Sequence, residues 1–560
     1  MNTFKKKSLH AAVLAGLGAL GAAGTANAVH VNPEGLGQVV IYPYYTVRAG
    51  NVTAMSIVNT TTLTKAVKVR YLEGKNSREV LDFNLFLSPS DIWTGVILTG
   101  TTPGGADGAR LETGDNSCVT PSDLFGGAAG VATVRTDTLG LPLNAFKNYQ
   151  YTGGNVDNAT LNTLDRTREG YMEVIEMGVV TNTIITGFIK HGANGVPANC
   201  VALDAYDADL STPAPTTVGA VGKFPLHLAS PTGGLTGRAS IINAPNGTNY
   251  TYDVTVFDGW WNPLVPAPGN VPYSPSGNTN PSISLQPGID TVSNVFVTGN
   301  PAVPNSAGVV RAQWNSSREA VSAILMRDSV INEFVTDAGS VSRTDWVITM
   351  PTKRDNIGVG VGTPLRPFSN NFANNTATGA CDAYSLAIFN REEGTVGTTP
   401  GVILPSPRPP GVVVAGQVLC WEANVVEFGS SGLLGSTNNF RLQGAADAFA
   451  VSGATTTGAP FATFSRRTLQ GPNGWASFGF GAALVAGSGQ SQQSITPASS
   501  QLNGGALVAG VFTPGAFDAI PRTHFGLPVI GAMFHNYTNT GVASSYGGVI
   551  PHKYTRLVQP

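Results

Sequence analysis

The sequence predicts an all-β fold, consisting mainly of antiparallel β-sandwich modules with one or two short helices. Its 560 residues include 68 Gly and 37 Pro, which divide the chain into many short segments. Only 12% of the residues are charged, against about 25% in ordinary soluble domains. The segments between the turns are rich in Val, Thr, Ser and Asn, and several alternate between apolar and polar residues. These features favour short strands joined by turns.

The stretch SIVNTTTLTKAVKVRYLEG shows the basic unit of this fold. In KAVKVRYL, Val67, Val69 and Tyr71 fall on one side of the chain. Lys68 and Arg70 fall on the other side, so the pattern predicts a half-buried strand. We expect it to be the middle one of three consecutive antiparallel strands, at Ser56–Asn59, Lys65–Leu72 and Val80–Leu87.

The strand–Asn unit recurs along the chain. SIIN, which ends at Asn243, matches SIVN, which ends at Asn59, and fainter copies end at Asn390 and Asn536. An asparagine side chain can bond its own backbone two residues further on and tolerates left-handed conformations, so it ends a strand well. Such units are also common in unrelated all-β proteins, so both duplication and coincidence stay open.

One helix is predicted in SSREAVSAILMRDSVINEFV. Ser316 stands three residues before Glu319, which is the spacing of a capping box. A partial helical stripe of apolar residues follows, from Val321 as far as Val335. The next segment, TDWVITMP, predicts a buried strand.

The first 28 residues predict a signal peptide. Three consecutive lysines precede the apolar segment Ala11–Ala23, which is too short to span a bilayer as a helix. Ala26 and Ala28 are the small residues that a signal peptidase requires, so we expect cleavage before Val29. No later stretch has the ~18 uninterrupted apolar residues of a transmembrane helix. The expected protein is exported to the periplasm, the outer surface or the medium.

The chain contains four cysteines, Cys118, Cys200, Cys381 and Cys420. An even number in an exported chain predicts two disulfides, for which three pairings exist. We favour sequential pairing, because each bridge then stays within one expected domain. A zinc site is disfavoured, since the sequence has no C-x₂-C pair and no histidine near the cysteines.

The chain is expected to form three domains after the signal peptide. Proline and small residues gather at Ser211–Gly222, which predicts a linker, and at Leu404–Gly411, which predicts a surface loop. The expected segments are a signal peptide at 1–28, a first β domain with a disulfide at 29–222, a second β domain with the helix at 223–365, and a third β-rich domain with a disulfide and a Gly/Ser-rich region at 366–560.

Several stretches carry a resemblance, namely IYPYYTVRAGNVTAMSIVNTTTLTKAVKVRYLEGKNSREVLDFNLFLSPSDIW, RLETGDNSCVTP, TDWVITMPTKR and FNREE. They resemble a group of exported, uncharacterised proteins of Gram-negative bacteria, from about Gly37 to the C-terminus with gaps. The resemblance implies export and assigns no activity. The strand–Asn–strand unit is also similar to immunoglobulin-like sandwich modules of bacterial surface proteins.

Acidic residues provide one candidate metal site. LDAYDADLS groups Asp204, Asp207 and Asp209, and carboxylate oxygens this close together could bind Ca²⁺. The stretch lacks the glycine and the distal glutamate of an EF-hand loop, so a solvated acidic loop beside Cys200 is the other interpretation. We expect no other metal and no other cofactor.

Glutamates provide one candidate for acid–base catalysis. On a helix, Glu169, Glu173 and Glu176 would share a face and could act as acid and base. On a strand, Glu173 and Glu176 would point to opposite faces and could not flank one bond. The neighbouring GVVTNTIITGFI favours a strand, so we assign no catalytic residue.

Aromatic clusters provide the remaining candidates. Tyr42, Tyr44 and Tyr45 lie in IYPYYTV, and Trp260 and Trp261 lie in DGWWNP. Exposed rings could stack on sugars, whereas core packing is the more ordinary use of such residues.

The net charge of −2 and the absence of a basic cluster argue against a nucleic-acid partner. A weakly charged, Thr- and Asn-rich surface can associate without strong charge repulsion. We therefore expect a structural or adhesive protein of the cell surface or extracellular layer, which self-associates or binds surface glycans. The alternative is an extracellular polysaccharide-binding protein or hydrolase.

Overall fold

The protein is described here by a computed structural model. Strands make up 47% and helices 11% of it, which confirms the all-β prediction. The expected signal peptide up to residue 27 and the expected linker and loop lie outside the described residues. The structure describes residues 28–126, 134–158, 160–208, 224–261, 270–285, 288–298, 308–337, 339–357, 364–369, 380–391, 418–429, 431–444, 468–469, 472–480, 493–502, 507–508, 511–512, 521–539 and 544–559.

The first thirteen strands are short to medium in length. They are β1 His30–Val31, β2 Val39–Thr46, β3 Val52–Asn59, β4 Lys65–Glu73, β5 Glu79–Leu87, β6 Ile92–Thr99, β7 Ala109–Glu112, β8 Cys118–Thr120, β9 Glu169–Val180, β10 Leu228–Ala229, β11 Leu235–Asn243, β12 Thr248–Asp253 and β13 Thr255–Asp258.

The later strands are on average shorter. They are β14 Val292–Val297, β15 Gly308–Gln313, β16 Met326–Arg327, β17 Ser329–Val335, β18 Arg343–Thr349, β19 Asp382–Ala383, β20 Ser385–Asn390, β21 Val418–Leu419, β22 Ala423–Phe428, β23 Asn439–Gly444, β24 Thr468–Leu469, β25 Asn473–Gly479, β26 Ser494–Ile495, β27 Ser499–Leu502, β28 Leu507–Val508, β29 Val511–Phe512, β30 Thr523–Phe525, β31 Leu527–Pro528, β32 Ala532–Asn539, β33 Ser544–Pro551, β34 Lys553–Thr555 and β35 Leu557–Gln559.

Within the described residues the helices are four in number, where the sequence predicts one or two. None of them combines the length and the apolar character needed to cross a membrane. The α-helices are α1 Thr183–Ile189, α2 Val201–Ala208, α3 Ser317–Leu325 and α4 Lys353–Ile357, and 3₁₀ turns occur at Tyr149–Tyr151, Gly153–Asn155, Leu164–Arg168 and Phe224–His227.

Two antiparallel sheets form a first sandwich. Sheet 1 has the strand order β1-β13-β2-β9-β4-β5-β8, with β10 paired to β9, and sheet 2 has the order β12-β11-β3-β6-β7. Val69 and Tyr71 from sheet 1 share a core with Ile57 and Trp93 from sheet 2. Strands β4 and β5 pair as predicted, but β3 lies in the other sheet. The prediction of three paired strands is therefore wrong for β3, because the loop after Asn59 carries the chain between the sheets.

Two further sheets form a second sandwich. Sheet 3 has the order β24-β23-β22-β18-β32-β33, and sheet 4 has the order β20-β25-β17-β34. The predicted strand TDWVITMP is β18 in sheet 3, and β18 is covered on both faces from Thr344 to Thr349. Trp346 and Ile348 pack in the core shared with sheet 4, whereas Val347 packs in the core of the first sandwich. The two sandwiches are therefore continuous through sheet 3.

The sheets combine strands from distant parts of the sequence. Strands β11, β12 and β13 come from the segment 223–365, yet they pair in sheets 1 and 2 with strands from the segment 29–222. Sheet 5, with the order β14-β15-β27, joins residues near 295 to residues near 500. Val29 also connects distant segments, because its buried N–H donates to the carbonyl of Val292 at 2.9 Å.

Helix α3 begins where the sequence predicts and ends earlier. The Ser316 hydroxyl accepts from the backbone N–H of Glu319, which confirms the predicted cap. The expected stripe as far as Val335 is wrong, because the helix ends at Leu325 and the alternating segment SVINEFV forms β17.

The two disulfides follow the chain in sequential order. Cys118 on β8 bonds to Cys200, which directly precedes α2, with an S–S distance of 2.03 Å. Cys381 bonds to Cys420 with an S–S distance of 2.07 Å. This is the pairing that the sequence favours. Disulfides of this kind are typical of compartments outside the cytoplasm.

The strand–Asn units differ in what the asparagine does. The side-chain oxygen of Asn59 accepts from the N–H of Thr61, two residues further on, and that of Asn243 accepts from the N–H of Asn246. The first two units are neighbours, because β3 pairs with β11 in sheet 2. Asn536 lies inside β32 and does not end it, so the prediction is wrong for that copy.

Candidate functional site

The aspartates of the candidate calcium site hold protein segments together. Asp204 and Asp207 lie on helix α2, and Asp209 lies outside the described residues. Asp204 accepts from both the N–H and the hydroxyl of Ser122. Asp207 accepts from three residues on two segments, namely Asn84 Nδ2, the Tyr273 hydroxyl, and the N–H and hydroxyl of Ser276. No group of three or more His, Cys, Asp or Glu residues in the described part of the chain could hold a metal ion.

The three glutamates of REGYMEVIEMG lie on a strand, β9, as the sequence favours. All three are buried in ion pairs. Glu169 pairs with Arg48 at 2.9 Å, Glu173 with Arg70 at 2.6 Å and Glu176 with Lys65 at 2.6 Å. These carboxylates therefore stabilise the interior and have no access to a substrate.

A layer of charged side chains covers the outer face of sheet 1. We call Lys68, Arg70, Glu79, Asp82 and Glu173 the charged layer. Lys68 lies 2.5 Å from Asp82, and Arg70 lies 2.7 Å from Glu79 and 2.6 Å from Glu173. Burial raises the pKa of both Glu79 and Glu173 to about 7, although Arg70 opposes this shift.

The charged layer corrects the prediction for β4. All nine residues of β4 are buried, so the strand is not half-buried. The segment Pro275–Gly277 covers its outer face: Lys68 Nζ donates to the Pro275 carbonyl at 2.8 Å, and the N–H of Gly277 donates to Asp82 at 2.8 Å. The alternation of the strand is correct, but its polar side faces protein.

The aromatic residues singled out from the sequence are all buried. The hydroxyl of Tyr44 donates to Glu169 at 2.8 Å, and the indole N–H of Trp260 donates to the carbonyl of Ile283 at 2.8 Å. None of these rings is available to stack on a sugar. The buried rings are Tyr42, Tyr44, Tyr45, Trp260 and Trp261.

A different tryptophan is exposed on the outer face of sheet 4. Trp475 on β25 keeps 40% of its surface exposed. Its ring stacks on Phe389 of β20, with a centroid distance of 4.2 Å and an interplanar angle of 15°. Trp475 is the direct cross-strand partner of Phe389 on β20 and, on its other side, of Glu333 on β17. We call Trp475 and Phe389 the aromatic platform.

The local sequence explains why Trp475 points outward. In NGWASFG, Ala476 and Phe478 alternate with Trp475 and pack in the core of the second sandwich. Gly474 allows the neighbouring strand to approach, because a Cβ atom there would lie 2.0 Å from the carbonyl oxygen of Phe389. A larger residue at this position would push β20 away from β25.

Trp475 of the aromatic platform lines an open groove with a volume of about 570 Å³. The groove offers both hydrogen-bond donors and acceptors beside the rings. Within the part of the chain that the structure describes, Glu333 and Lys553 have no ion-pair partner. The polar residues that line the groove are Asn332, Glu333, Asn390, Arg391, Asn473 and Lys553.

Sequence reasoning missed the platform, although a signal was present. Trp475 stands in a Gly/Ser-rich region, and alternation along a strand places it on the same side as the small residues Ser477 and Gly479. It is therefore the one large aromatic residue on the polar side of its strand. Comparisons of the chain with protein-family models, with curated proteins and with solved structures found no match.

Proposed function

We propose that this protein is an exported, adhesive protein of the cell surface or extracellular layer, and that it binds polysaccharide through the aromatic platform. The observation that carries the proposal is the exposed ring of Trp475 in a groove with a polar rim. Exposed apolar surface rimmed by polar groups is typical of interaction sites.

The chemistry of the groove matches that of a sugar chain. A pyranose ring presents C–H groups on its faces and hydroxyl groups around its edge, so it can stack on an aromatic ring while its edge bonds to polar side chains. The ring of Trp475 is held by Phe389, so it loses little conformational freedom on binding. Glu333 can accept from a sugar hydroxyl, and Lys553 can donate to one.

Export and adhesion have separate support. Two disulfides suit an oxidising compartment. A net charge of −2 on 560 residues leaves little charge repulsion toward surfaces or other copies of the chain.

The test is co-sedimentation of the purified mature protein with insoluble polysaccharides, followed by titration with soluble oligosaccharides. Trp475→Ala should weaken binding at least about tenfold, because burial of an aromatic anchor contributes about 1.5–3 kcal/mol. Phe296→Ala is the matched control, since Phe296 is also an exposed aromatic residue, with 61% of its surface accessible, but lies on β14. Equal binding by both variants and the unmodified protein would contradict the proposal.

The same samples distinguish binding from hydrolysis. Glycosidases generally use two carboxylic acids on either side of the scissile bond, whereas Glu333 is the one carboxylate among the described residues that line the groove. We therefore expect binding without release of reducing sugars. Release that Glu333→Gln abolishes would favour the hydrolase instead.

A further inference from the structure

A second cavity, with a volume of about 840 Å³, lies where the two sandwiches meet. We call it the inter-sandwich cleft. Its floor includes part of sheet 3, where Arg343 on β18 pairs with Asn536 on β32. Its walls are formed by Tyr250 of sheet 2 and by the turn at 244–247.

The cleft carries an uncompensated positive charge. Arg343 is exposed and is the one charged side chain among the described lining residues. It has no ion pair or side-chain hydrogen bond within the described part of the chain. The next carboxylate on the same side of β18, Asp345, is buried and accepts from the N–H of Leu434 at 2.9 Å. A guanidinium in this position favours a carboxylate or another oxyanion.

Asn536 adds an unsatisfied acceptor beside that charge. Only 6% of its surface is exposed, and its Oδ1 atom is buried with no hydrogen-bond partner among the residues that the structure describes. Burying an acceptor in this way costs free energy unless a donor reaches it. Because Arg343 and Asn536 are direct cross-strand partners, their Cβ atoms lie about 5 Å apart on the same face of the sheet.

The surroundings of the cleft are polar. Gly547 lets sheet 2 approach sheet 3, because a Cβ atom there would lie 2.8 Å from the ring of Tyr250. Burial raises the pKa of Tyr250 to about 12, and Asp345 adds to this shift, whereas the hydrogen bond with the Thr248 side chain and the charge of Arg343 act to lower it. The hydroxyl therefore stays protonated at neutral pH. Further hydroxyl and amide groups come from Asn246, Thr248, Thr538 and Ser545.

We infer that the inter-sandwich cleft binds a hydroxylated carboxylate, with the carboxylate on Arg343 and a hydroxyl bonded to the side-chain amide of Asn536, which lines the cleft. Uronic-acid residues of an acidic polysaccharide and small free hydroxy acids share this chemistry. The volume of the cleft accommodates a ligand larger than a single small acid. This site is separate from the aromatic platform, and the inference does not depend on the proposed function.

The test is isothermal titration calorimetry on the mature protein at low salt, with trigalacturonate, neutral galactotriose and lactate as probes. Trigalacturonate should bind at least about tenfold more tightly than galactotriose, because only the acid can pair with the guanidinium. Tighter binding of trigalacturonate than of lactate identifies the ligand as an acidic sugar chain, and the reverse identifies a small hydroxy acid.

Variants then assign the binding to the cleft. Arg343→Gln should weaken trigalacturonate binding about tenfold, and Arg343→Lys should weaken it less because it retains the charge. The matched control Arg238→Gln removes an exposed arginine of sheet 2 that pairs with Asp253 outside the cleft. Trp475→Ala should leave acid binding unchanged, which separates this inference from the proposed function.

Three results would overturn the inference: no binding of either acid, binding of galactotriose as tight as that of the tighter-binding acid, or equal acid binding by Arg343→Gln and the unmodified protein. Since the side chain of Arg343 is exposed, Arg343→Gln should keep the unfolding temperature of the unmodified protein. Thermal unfolding of each variant verifies this before titration.

Discussion

Strands β4 and β17 have similar alternating sequences and opposite surroundings. In β4, KAVKVRYLE, Lys68 and Arg70 point outward from the first sandwich, and every residue of the strand is buried. In β17, SVINEFV, Ile331 and Glu333 point outward from the second sandwich, and Glu333 is exposed. The segment Pro275–Gly277 covers β4, whereas the outer side of β17 borders the open groove.

The comparison shows that a covering segment decides whether charged residues stabilise the fold or face a ligand. Buried charges require partners, since removal of an ion from water costs several kcal/mol. Arg70 accordingly bonds two carboxylates. Glu333 is exposed to water, so it needs no ion-pair partner and its carboxylate oxygens can accept hydrogen bonds from another molecule.

The largest effect on the free energy of unfolding is expected for Arg70→Met, on the covered strand β4. Methionine keeps much of the volume of the side chain but leaves Glu79 and Glu173 buried without their cation. Removal of one partner from a buried ion pair costs about 3–5 kcal/mol. Urea unfolding at pH 8 should show a loss of this size.

The cause of that loss can be tested in the same background. If uncompensated charge destabilises the Arg70→Met variant, then adding Glu79→Gln and Glu173→Gln should restore much of the stability, and so should a lower pH. An equal loss in the triple variant at every pH would show that packing around Arg70 matters more than its charge.

An intermediate effect is expected at Glu422, where the two sandwiches meet. Glu422 is buried like the charged layer, but it has no ion-pair partner within 4.0 Å among the described residues. Its backbone N–H donates to the carbonyl of Lys75 on the first sandwich. Burial raises the pKa of Glu422 to about 8, against an ordinary value of 4.5.

This pKa gives the stability a pH dependence with a definite sign. Between pH 4.5 and about 8 the folded protein holds a proton on Glu422 that the unfolded chain has lost. The stabilisation is therefore complete below pH 4.5 and is lost as the pH rises toward 8. Glu422→Gln cannot ionise, so it should be more stable than the unmodified protein at pH 8, by a few kcal/mol.

Unfolding of both proteins at pH 5 and pH 8 checks this expectation. The two proteins should differ little at pH 5, where Glu422 is protonated in the folded state. A Glu422→Gln variant that is less stable at pH 8 would mean that the carboxylate is ionised there and stabilised by its surroundings.

The features that the sequence predicts well depend on neighbouring residues. The alternation of β4, the bond from Asn59 to Thr61 and the cap of α3 at Ser316 each involve residues within a few positions of each other. The local pattern is sufficient for these because the responsible contacts lie within it.

The features that the sequence does not predict depend on distant residues. Lys68 contacts Pro275 across 207 positions, and no local pattern reports that contact. The aromatic platform likewise arises because β25 pairs with both β20 and β17. Arg343 and Asn536 become neighbours only when β18 and β32 pair. Burial of β4 and the positions of both candidate sites therefore had to come from the structure.

The smallest effect on stability is expected for Glu333→Ala, on the exposed face of β17. Glu333 is exposed, and loss of a surface side chain of this kind changes stability by less than about 0.5 kcal/mol. The same variant should weaken polysaccharide binding a few-fold if Glu333 accepts from a sugar hydroxyl next to Trp475. Urea unfolding and oligosaccharide titration of one preparation measure both quantities. Glu333→Ala could instead lose as much stability as Arg70→Met and bind polysaccharide unchanged. That result would mean that the outer face of β17 stabilises the fold, as that of β4 does, and does not bind a ligand.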